Sequence, residues 1–148
     1  MIRTARPGDR TAVEAVVRAA YAPYVARMGR EPGPMGDDYG ALIAAGHVRV
    51  LEDEAGVAGI LVLIPEADAL LLDNVALADR ARGRGFGRRL VAQAEAEARA
   101  AGLKRLRLYT HVLMTENHTL YAHLGFHETH RATEKGFERV FMEKPLAG

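Results

Sequence analysis

Between His47 and Asp79 the chain reads "HVRVLEDEAGVAGILVLIPEADALLLDNVALAD", three apolar runs of strand length cut only by the turn signals "EDEAG" and "PEAD". A meander of three strands satisfies both the runs and the turns. The next stretch breaks the pattern. "RARGRGFGRRLVAQAEAEARAAG", residues 80–102, sets Gly83, Gly85 and Gly87 among five arginines and becomes an alanine-rich helix from about Phe86. On that helix Leu90, Val91, Ala94, Ala98 and Ala101 share one face, Arg89, Gln93, Glu97 and Arg99 lie opposite, and Gly102 is the stop. A strand therefore delivers the chain into a glycine turn that opens a helix.

The flanks obey the same punctuation. "MIRTARP" reads as a short strand stopped by Pro7, and Asp9 as the N-cap of a helix in which Val13, Val16, Val17 and Ala20 keep helical spacing until Pro23. "REPGPMGDD" is turn-rich, and "DYGALIAA" is a short second helix closed by Gly46. Beyond Gly102, "KRLRLYT" alternates as a strand and "MTENHTLYAHLG" is a short helix. "FHETHRA" and "FERVFMEK" then pair across the turn "TEKG". The expected order is β, α, α, β, β, β, α, β, α, β, β.

No repeat, linker or low-complexity stretch divides the chain. At 148 residues, 49% hydrophobic, it is expected to be a single domain over residues 1–148. The net charge is only +1, so the arginines are a local feature and a nucleic acid partner is not expected. The absence of cysteine excludes a disulfide framework, thiolate metal sites and a cysteine nucleophile. "MIRTARPGDR" lacks the apolar core of a signal peptide, and no apolar run approaches the ~20 residues of a spanning helix. The expectation is a soluble, cytoplasmic protein with no membrane partner.

The glycine loop can be tested against the known uses of glycine. A nucleotide-triphosphate loop needs Lys and then Ser or Thr after its last glycine, whereas Gly87 precedes Arg88 and Arg89. A dinucleotide loop wants a third glycine where Arg88 stands, and an acidic residue at the end of the next strand, where Tyr109 and Thr110 stand. What survives is a strand ending near Leu77, backbone N–H groups that glycine lets a ligand approach, and a helix N-terminus that favours an anion. A solvated arginine turn is the plain alternative. Against it, each glycine costs roughly 0.5–1 kcal/mol relative to alanine, so three alternating ones need a reason. A phosphate or pyrophosphate is the expected ligand.

In these residues "NVALADRARGRGFGRRL" resembles the acyl-CoA pyrophosphate loop of the GNAT superfamily of N-acetyltransferases. The pattern there is Arg or Gln, two residues, Gly, one residue, then Gly or Ala, filled by Arg82, Gly85 and Gly87. A second block, "ENHTLYAHLGF", resembles the C-terminal motif of the same family. The two stand in the family's order and at its spacing, and the resemblance covers about residues 46 to 144. It implies an α/β (α+β) fold: a central, mixed, mostly antiparallel sheet of six to seven strands, flanked by about four helices. A splayed strand pair holds the acyl-CoA.

The resemblance also implies roles. Backbone groups of Val75, Ala76 and Leu77 would hold the pantetheine arm, and Arg82, Gly83, Arg84, Gly85, Phe86, Gly87 and Arg88 the pyrophosphate. Asn117 would contact the pantetheine, and Tyr121 would act as general acid beside it. An amine would attack the thioester of acetyl-CoA directly in a ternary complex, with a backbone N–H stabilising the oxyanion and no metal. Asp73 stands where relatives often carry glutamate as the base; it would act through water, or only orient Asn74, or be a solvated strand-end carboxylate. The segment 21–35 would arch over the acceptor, offering Tyr21, Tyr24, Arg27, Arg30 and Glu31; inward arginines would suit a carboxylate-bearing amine, and Glu31 a cationic one. An ordinary loop with two core tyrosines is the alternative.

The six histidines form no zinc-hydrolase motif and read as solvated or hydrogen-bonded, except His111, a candidate substrate contact at the end of "RLRLYT". Two functions stay open: an acetyl-CoA-dependent acyltransferase acting on a small-molecule or peptide amine, or a silent acyl-CoA-binding sensor or structural domain. Tyr121 favours the enzyme, since binding alone needs no phenol there. The acceptor, the length of the acyl group, and a homodimer across the terminal hairpin also stay open.

Overall fold

A computed structural model describes residues 1–146. In chain order the elements are β1 (Ile2–Thr4), α1 (Arg10–Met28), α2 (Tyr39–Ala44), β2 (Val48–Asp53), β3 (Gly56–Pro65), β4 (Ala69–Leu77), α3 (Phe86–Ala100), β5 (Arg105–His111), α4 (Thr115–His123), β6 (His127–Glu134) and β7 (Phe137–Pro145). Single 3₁₀ turns lie at Pro7–Asp9, Gly33–Gly36 and Asp79–Ala81. The strands form one seven-stranded sheet in the order β1-β2-β3-β4-β5-β7-β6, flanked by four helices. This is the mixed α/β fold expected. The β4–β5 pair is parallel, which requires a crossover, and α3 supplies it. No helix of the described residues is long and apolar enough to cross a membrane.

Contacts group the chain into two compact units. The first comprises Met1–Leu63 and Asn74–Gln93, the second Ile64–Asp73 and the chain from Ala94 onward. In the first, β2 pairs antiparallel with β1 and β3. Ala58, Ile60, Leu61 and Val62 of β3 are wholly buried, the continuous apolar run of a strand covered on both faces. Val13, Val16, Val17 and Tyr21 of α1 and Tyr39 and Ile43 of α2 complete this core.

Two local expectations need correction. α1 does not stop at Pro23 but runs through it to Met28, where Gly29 adopts φ +73° and its N–H closes on the Val25 carbonyl. Proline loses its own N–H bond and crowds the carbonyl one turn back, which strains the helix without ending it here, and the left-handed glycine is the stop. Nor does Asp9 cap α1 with its side chain. Its carboxylate instead takes a bidentate pair from Arg3 (2.8 and 2.9 Å) and the Arg6 N–H (2.7 Å). Arg3 also donates to Glu52 (2.5 Å), so one guanidinium ties β1, β2 and the approach to α1 together. A bidentate pair with a guanidinium outweighs a single bond from the carboxylate to a backbone N–H.

In the second unit β7 pairs antiparallel with β5 from Arg105↔Pro145 to His111↔Arg139, and with β6 across Lys135–Gly136. Both turn residues have positive φ, 52° and 80°, the geometry that suits a tight hairpin. Leu106, Leu108, Val140 and Met142 are buried on one side of this sheet, and Ala94 and Ala98 of α3 are buried as expected. Ala101, expected on the same face, lies beyond the helix end and is exposed.

The Arg3 guanidinium, with the Arg6 N–H and against the cost of desolvation, holds the Asp9 carboxyl at about 2, below its ordinary 3.8. A depressed folded value contributes stability that is full above the ordinary value and fades as pH falls through the folded one. Urea midpoints of the wild type and Asp9→Asn should therefore differ by a constant amount above about pH 5, draw together as pH falls below about 4, and lose the last of the difference only below about pH 2. A gap independent of pH would show that the Asp9 charge does not link these elements.

Candidate active site

The first unit carries the strand and loop picked out by their glycines. β3 has Gly59 at the closest approach: an added Cβ would stand 2.9 Å from Leu77 Cδ2, 3.2 Å from Leu90 Cδ1 and 3.3 Å from the Ala76 carbonyl. β4 therefore brings Val75, Ala76 and Leu77 to the same place as the first turns of α3. Past Leu77 the backbone closes a 3₁₀ turn, Ala81 N–H to Ala78 O at 2.9 Å. The exposed loop of Arg82 to Gly85 comes next.

The three glycines have different reasons. Gly83 and Gly85 adopt φ +76° and +78°, which L side chains rarely reach. Gly87 lies inside α3 without positive φ, and a Cβ there would meet only Leu77 Cδ1 at 3.9 Å, an ordinary contact. Among the described residues, no close contact demands a glycine at 87. The Arg89 N–H closes on the Gly85 carbonyl at 3.1 Å, so the N–H groups of Phe86, Gly87 and Arg88 precede the helix's own ladder. Such a turn of N–H groups at a helix start accommodates an anion.

The arginines divide as well. Arg84 donates to Asp53 Oδ2 at 2.8 Å and lies over the Phe86 ring at 4.4 Å; Arg80 donates to the same oxygen at 2.5 Å. Desolvation would raise the Asp53 carboxyl, but Arg80, the Ala55 N–H and Arg84 together hold it below its usual value. Arg82 makes only a 3.6 Å contact with Asp79, and Arg88 is exposed.

Immediately before Val75, Asn74 is buried at 3% exposure with both amide heteroatoms bonded: Tyr21 Oη donates to its Oδ1 at 2.6 Å, and its Nδ2 donates to Tyr39 Oη at 3.0 Å. Tyr39 Oη in turn donates to the Pro34 carbonyl at 2.5 Å. Asn74 thus takes its partners from two tyrosines, not from Asp73. Of the segment 21–35, residues 21–28 are regular helix, the last turns of α1. Tyr24 rests 6.5 Å from Tyr21, ring to ring, with Arg27 over its face at 5.0 Å. Glu31 lines a cavity of about 210 Å³ together with Glu14, Val17, Arg18, Met35, Asp37 and Tyr39, whereas Arg27 and Arg30 do not line it.

The second unit carries the remaining candidates. The parallel ladder joins Ala69–Leu71 to Arg105–Arg107, and just past its last rung Tyr109 Oη donates to Asp73 at 3.1 Å. Tyr109 shares its face of β5 with His111, and Arg139 of β7 lies over the Tyr109 ring at 4.2 Å. His111 is tied locally: Nδ1 accepts the Leu113 N–H at 3.1 Å, its carbonyl meets His118 Nε2 at 3.0 Å, and its ring is edge-on to Phe137 at 6.2 Å. On α4, Asn117 makes long contacts to Thr110 Oγ1 (3.4 Å) and Met114 Sδ (3.7 Å). One turn later Tyr121 is buried, its ring edge-on to Phe126 at 5.6 Å.

So the first unit gathers Val75–Leu77 with residues 82–88, and the second holds Asp73, His111, Asn117 and Tyr121. The sequence alone does not single out Tyr39, Asp53, Tyr109 or Arg139. Of these Tyr109 has a signal, the period-two alternation that puts it on the face of His111.

The chain belongs to the GNAT acetyltransferase family, whose profile, described as an acetyltransferase (GNAT) domain, matches residues 44–128. It is 44% identical over 86 residues to mouse N-alpha-acetyltransferase 80, a match covering 58% of this chain and 23% of that protein, so it spans under a quarter of that relative's length. Among solved structures it is similar to the PaiA N-acetyltransferase of Thermoplasma acidophilum in complex with coenzyme A, with a TM-score of 0.82, 18% identity and 98% of each chain covered. It is also similar to the ribosomal-protein-S18-alanine N-acetyltransferase of Escherichia coli, with a TM-score of 0.77, 18% identity and 100% of this chain and 94% of that one covered. At these identities the structural likeness is one of fold.

Tyr21→Phe keeps the ring but takes the hydroxyl donor from the buried Asn74 oxygen. Chemical unfolding should show a loss of about 1–3 kcal/mol, the cost of stranding a buried polar atom. An unchanged stability would mean that the Asn74 amide does not depend on Tyr21.

Proposed function

We propose that the chain is an acetyl-CoA-dependent N-acetyltransferase working as one catalytic domain, by direct attack of a primary amine on the bound donor. The observation that carries this reading is the turn at residues 82–88, in which two glycines are required by the backbone and a third, Gly87, is not. The residues fit the donor: N–H groups ahead of the α3 ladder suit a pyrophosphate, and exposed Arg82 and Arg88 add positive charge beside them. Val75, Ala76 and Leu77 would hold the pantetheine arm through their backbone, with Arg84 and Phe86 bracing the loop and Asn117 contacting the arm.

When bound, acetyl-CoA supplies an activated acetyl group. The chain's own part is to orient the amine, take up its proton and return one to the sulfur. Asp73 is the base of this reading, directly or through water, and the Tyr109 hydroxyl at 3.1 Å holds its carboxylate in place. Tyr121 is the acid: a phenol carries its proton at neutral pH and needs no prior activation. Asn117, one turn before it on α4, links the acid to the cofactor.

A peptide α-amine is the favoured acceptor within the class of small-molecule and peptide amines. Support comes from the name of the mouse relative, 44% identical over the shared region. Tyr24, Arg27, Arg30, Glu31 and His111 are the residues proposed to face it. Since Glu31, with Glu14 and Asp37 against Arg18, lines the cavity beside α1 while Arg27 and Arg30 do not, a cationic amine suits this segment better than a carboxylate.

Gly87→Glu separates ligand from fold. A carboxylate in the first turn of α3 favours the helix dipole, so the thermal midpoint of the free protein should hold or rise. The same charge opposes a pyrophosphate, and calorimetry should show coenzyme A bound about 100-fold more weakly. Undiminished affinity would remove the loop from the cofactor site.

Tyr121→Phe tests the chemistry. It keeps the ring on Phe126, so acetyl-CoA affinity should hold while turnover with a peptide amine falls by about 10²- to 10⁴-fold. Wild-type turnover would return Tyr121 to a packing role.

A further inference from the structure

Asp53, the last residue of β2, belongs to none of the roles above. Its side chain is only 5% exposed, whereas the Arg80 and Arg84 side chains it pairs with are 39% and 40% exposed. Its Oδ2 accepts from Arg80 Nη1 at 2.5 Å and from Arg84 Nη1 at 2.8 Å, and its Oδ1 accepts the Ala55 N–H at 2.9 Å. A second Arg80 nitrogen donates to the Val57 carbonyl at 3.0 Å. Burying a carboxylate is costly unless it is paired and hydrogen-bonded, and here every bond closes on the β2–β3 turn or on residues 80 and 84. The carboxylate is thus a clasp between a hairpin and the two sides of Arg82–Gly83.

The clasped segment needs one. Residues 82–85 are exposed, and Gly83 and Gly85 carry the backbone freedom that glycine loses on ordering. A ligand that must order such a loop gives up that entropy from its own binding energy, whereas a loop already fixed does not. One carboxylate shared between two guanidiniums also leaves a net positive charge at the loop. The pairing therefore fixes the loop without neutralising it.

We infer that Asp53 is a positioning residue for the cofactor loop, holding residues 80–84 so that the N–H groups at the start of α3 meet the pyrophosphate of coenzyme A already ordered. This rests on the proposed cofactor site and names the part of the chain that prepares it. Asp53 touches neither donor nor acceptor and acts through Arg80 and Arg84.

The test uses the full chain and coenzyme A as the probe, with calorimetric affinities for the wild type, Asp53→Asn, Arg80→Gln and the double variant, all below their thermal midpoints. Asp53→Asn should weaken binding about 10-fold, or about 1.4 kcal/mol. Arg80→Gln should weaken it less, and the double variant should lose no more than Asp53→Asn alone, since both act through one clasp. Hydrogen exchange at residues 82–88 should rise in the same order. In turnover, the loss should appear in KM for acetyl-CoA and leave kcat at saturation unchanged, a split that general destabilisation would not produce. If Asp53→Asn does not fold, Arg80→Gln alone carries the test. Affinity that is unchanged or tighter, with a wild type that binds coenzyme A, would overturn the inference and mean that Asp53 competes with the phosphate for the arginines. A wild type that does not bind coenzyme A would instead overturn the cofactor reading itself.

Discussion

At Gly59 the backbone of β3 lets Leu77 and Leu90 come closer than a side chain there ordinarily allows, with 2.9 and 3.2 Å from the place of a Cβ to their methyl groups. That contact holds the last residue of β4 and the second turn of α3 against one strand. The stretch between them must then reverse within a few residues, which is why Gly83 and Gly85 stand in left-handed conformations. Past that turn, the first N–H groups of α3 precede the helix's own hydrogen-bond ladder. The proposed anion-binding turn thus follows a strand end that is tightly packed against its neighbour.

Two buried polar devices hold the surroundings of that turn, and both are attached to β strands rather than to loops. Asn74 joins β4 to α1 and α2 through Tyr21 and Tyr39, and through Tyr39 to the Pro34 carbonyl. Asp53 joins the end of β2 to Arg80 and Arg84. Each buries polar atoms that are partnered, the condition under which a polar network rigidifies rather than weakens a core. In the second unit, Lys144 plays a similar part, with its ammonium on Glu95 and on the Leu124 carbonyl at 2.8 Å, which closes the end of α4 onto β7. Rigid strands carrying partnered polar groups are a suitable frame for a reaction that depends on orientation.

Most of the fold was legible in the sequence because its signals are local. The unbroken apolar run of β3, the alternation of β5 and the glycine stops at Gly46, Gly102 and Gly125 each act within a few residues. The same holds for the loop, whose spacing of Arg82, Gly85 and Gly87 carries the family resemblance. The misreadings are those where a distant partner decides. Asp9 looks like a cap until Arg3 is folded beside it, and Pro23 looks like a stop until a left-handed Gly29 supplies a better one. Asp53 lies in what reads as a plain turn, and its partners are 27 and 31 residues away. No periodicity connects such positions. Asn74 reads as a companion of its chain neighbour Asp73, but successive strand residues point to opposite faces and so meet different partners.

The central claim is that this chain moves an acetyl group from coenzyme A to an amine. Radiolabelled acetyl-CoA should be mixed with the purified chain and a set of peptides differing only in a free or blocked α-amine, and the product located by mass spectrometry. The account predicts a single acetyl group on the nitrogen of the free α-amine peptides, stoichiometric release of the free thiol, and no transfer to the blocked ones. Tight binding of acetyl-CoA with no transfer to any amine, peptide or small molecule, would contradict it.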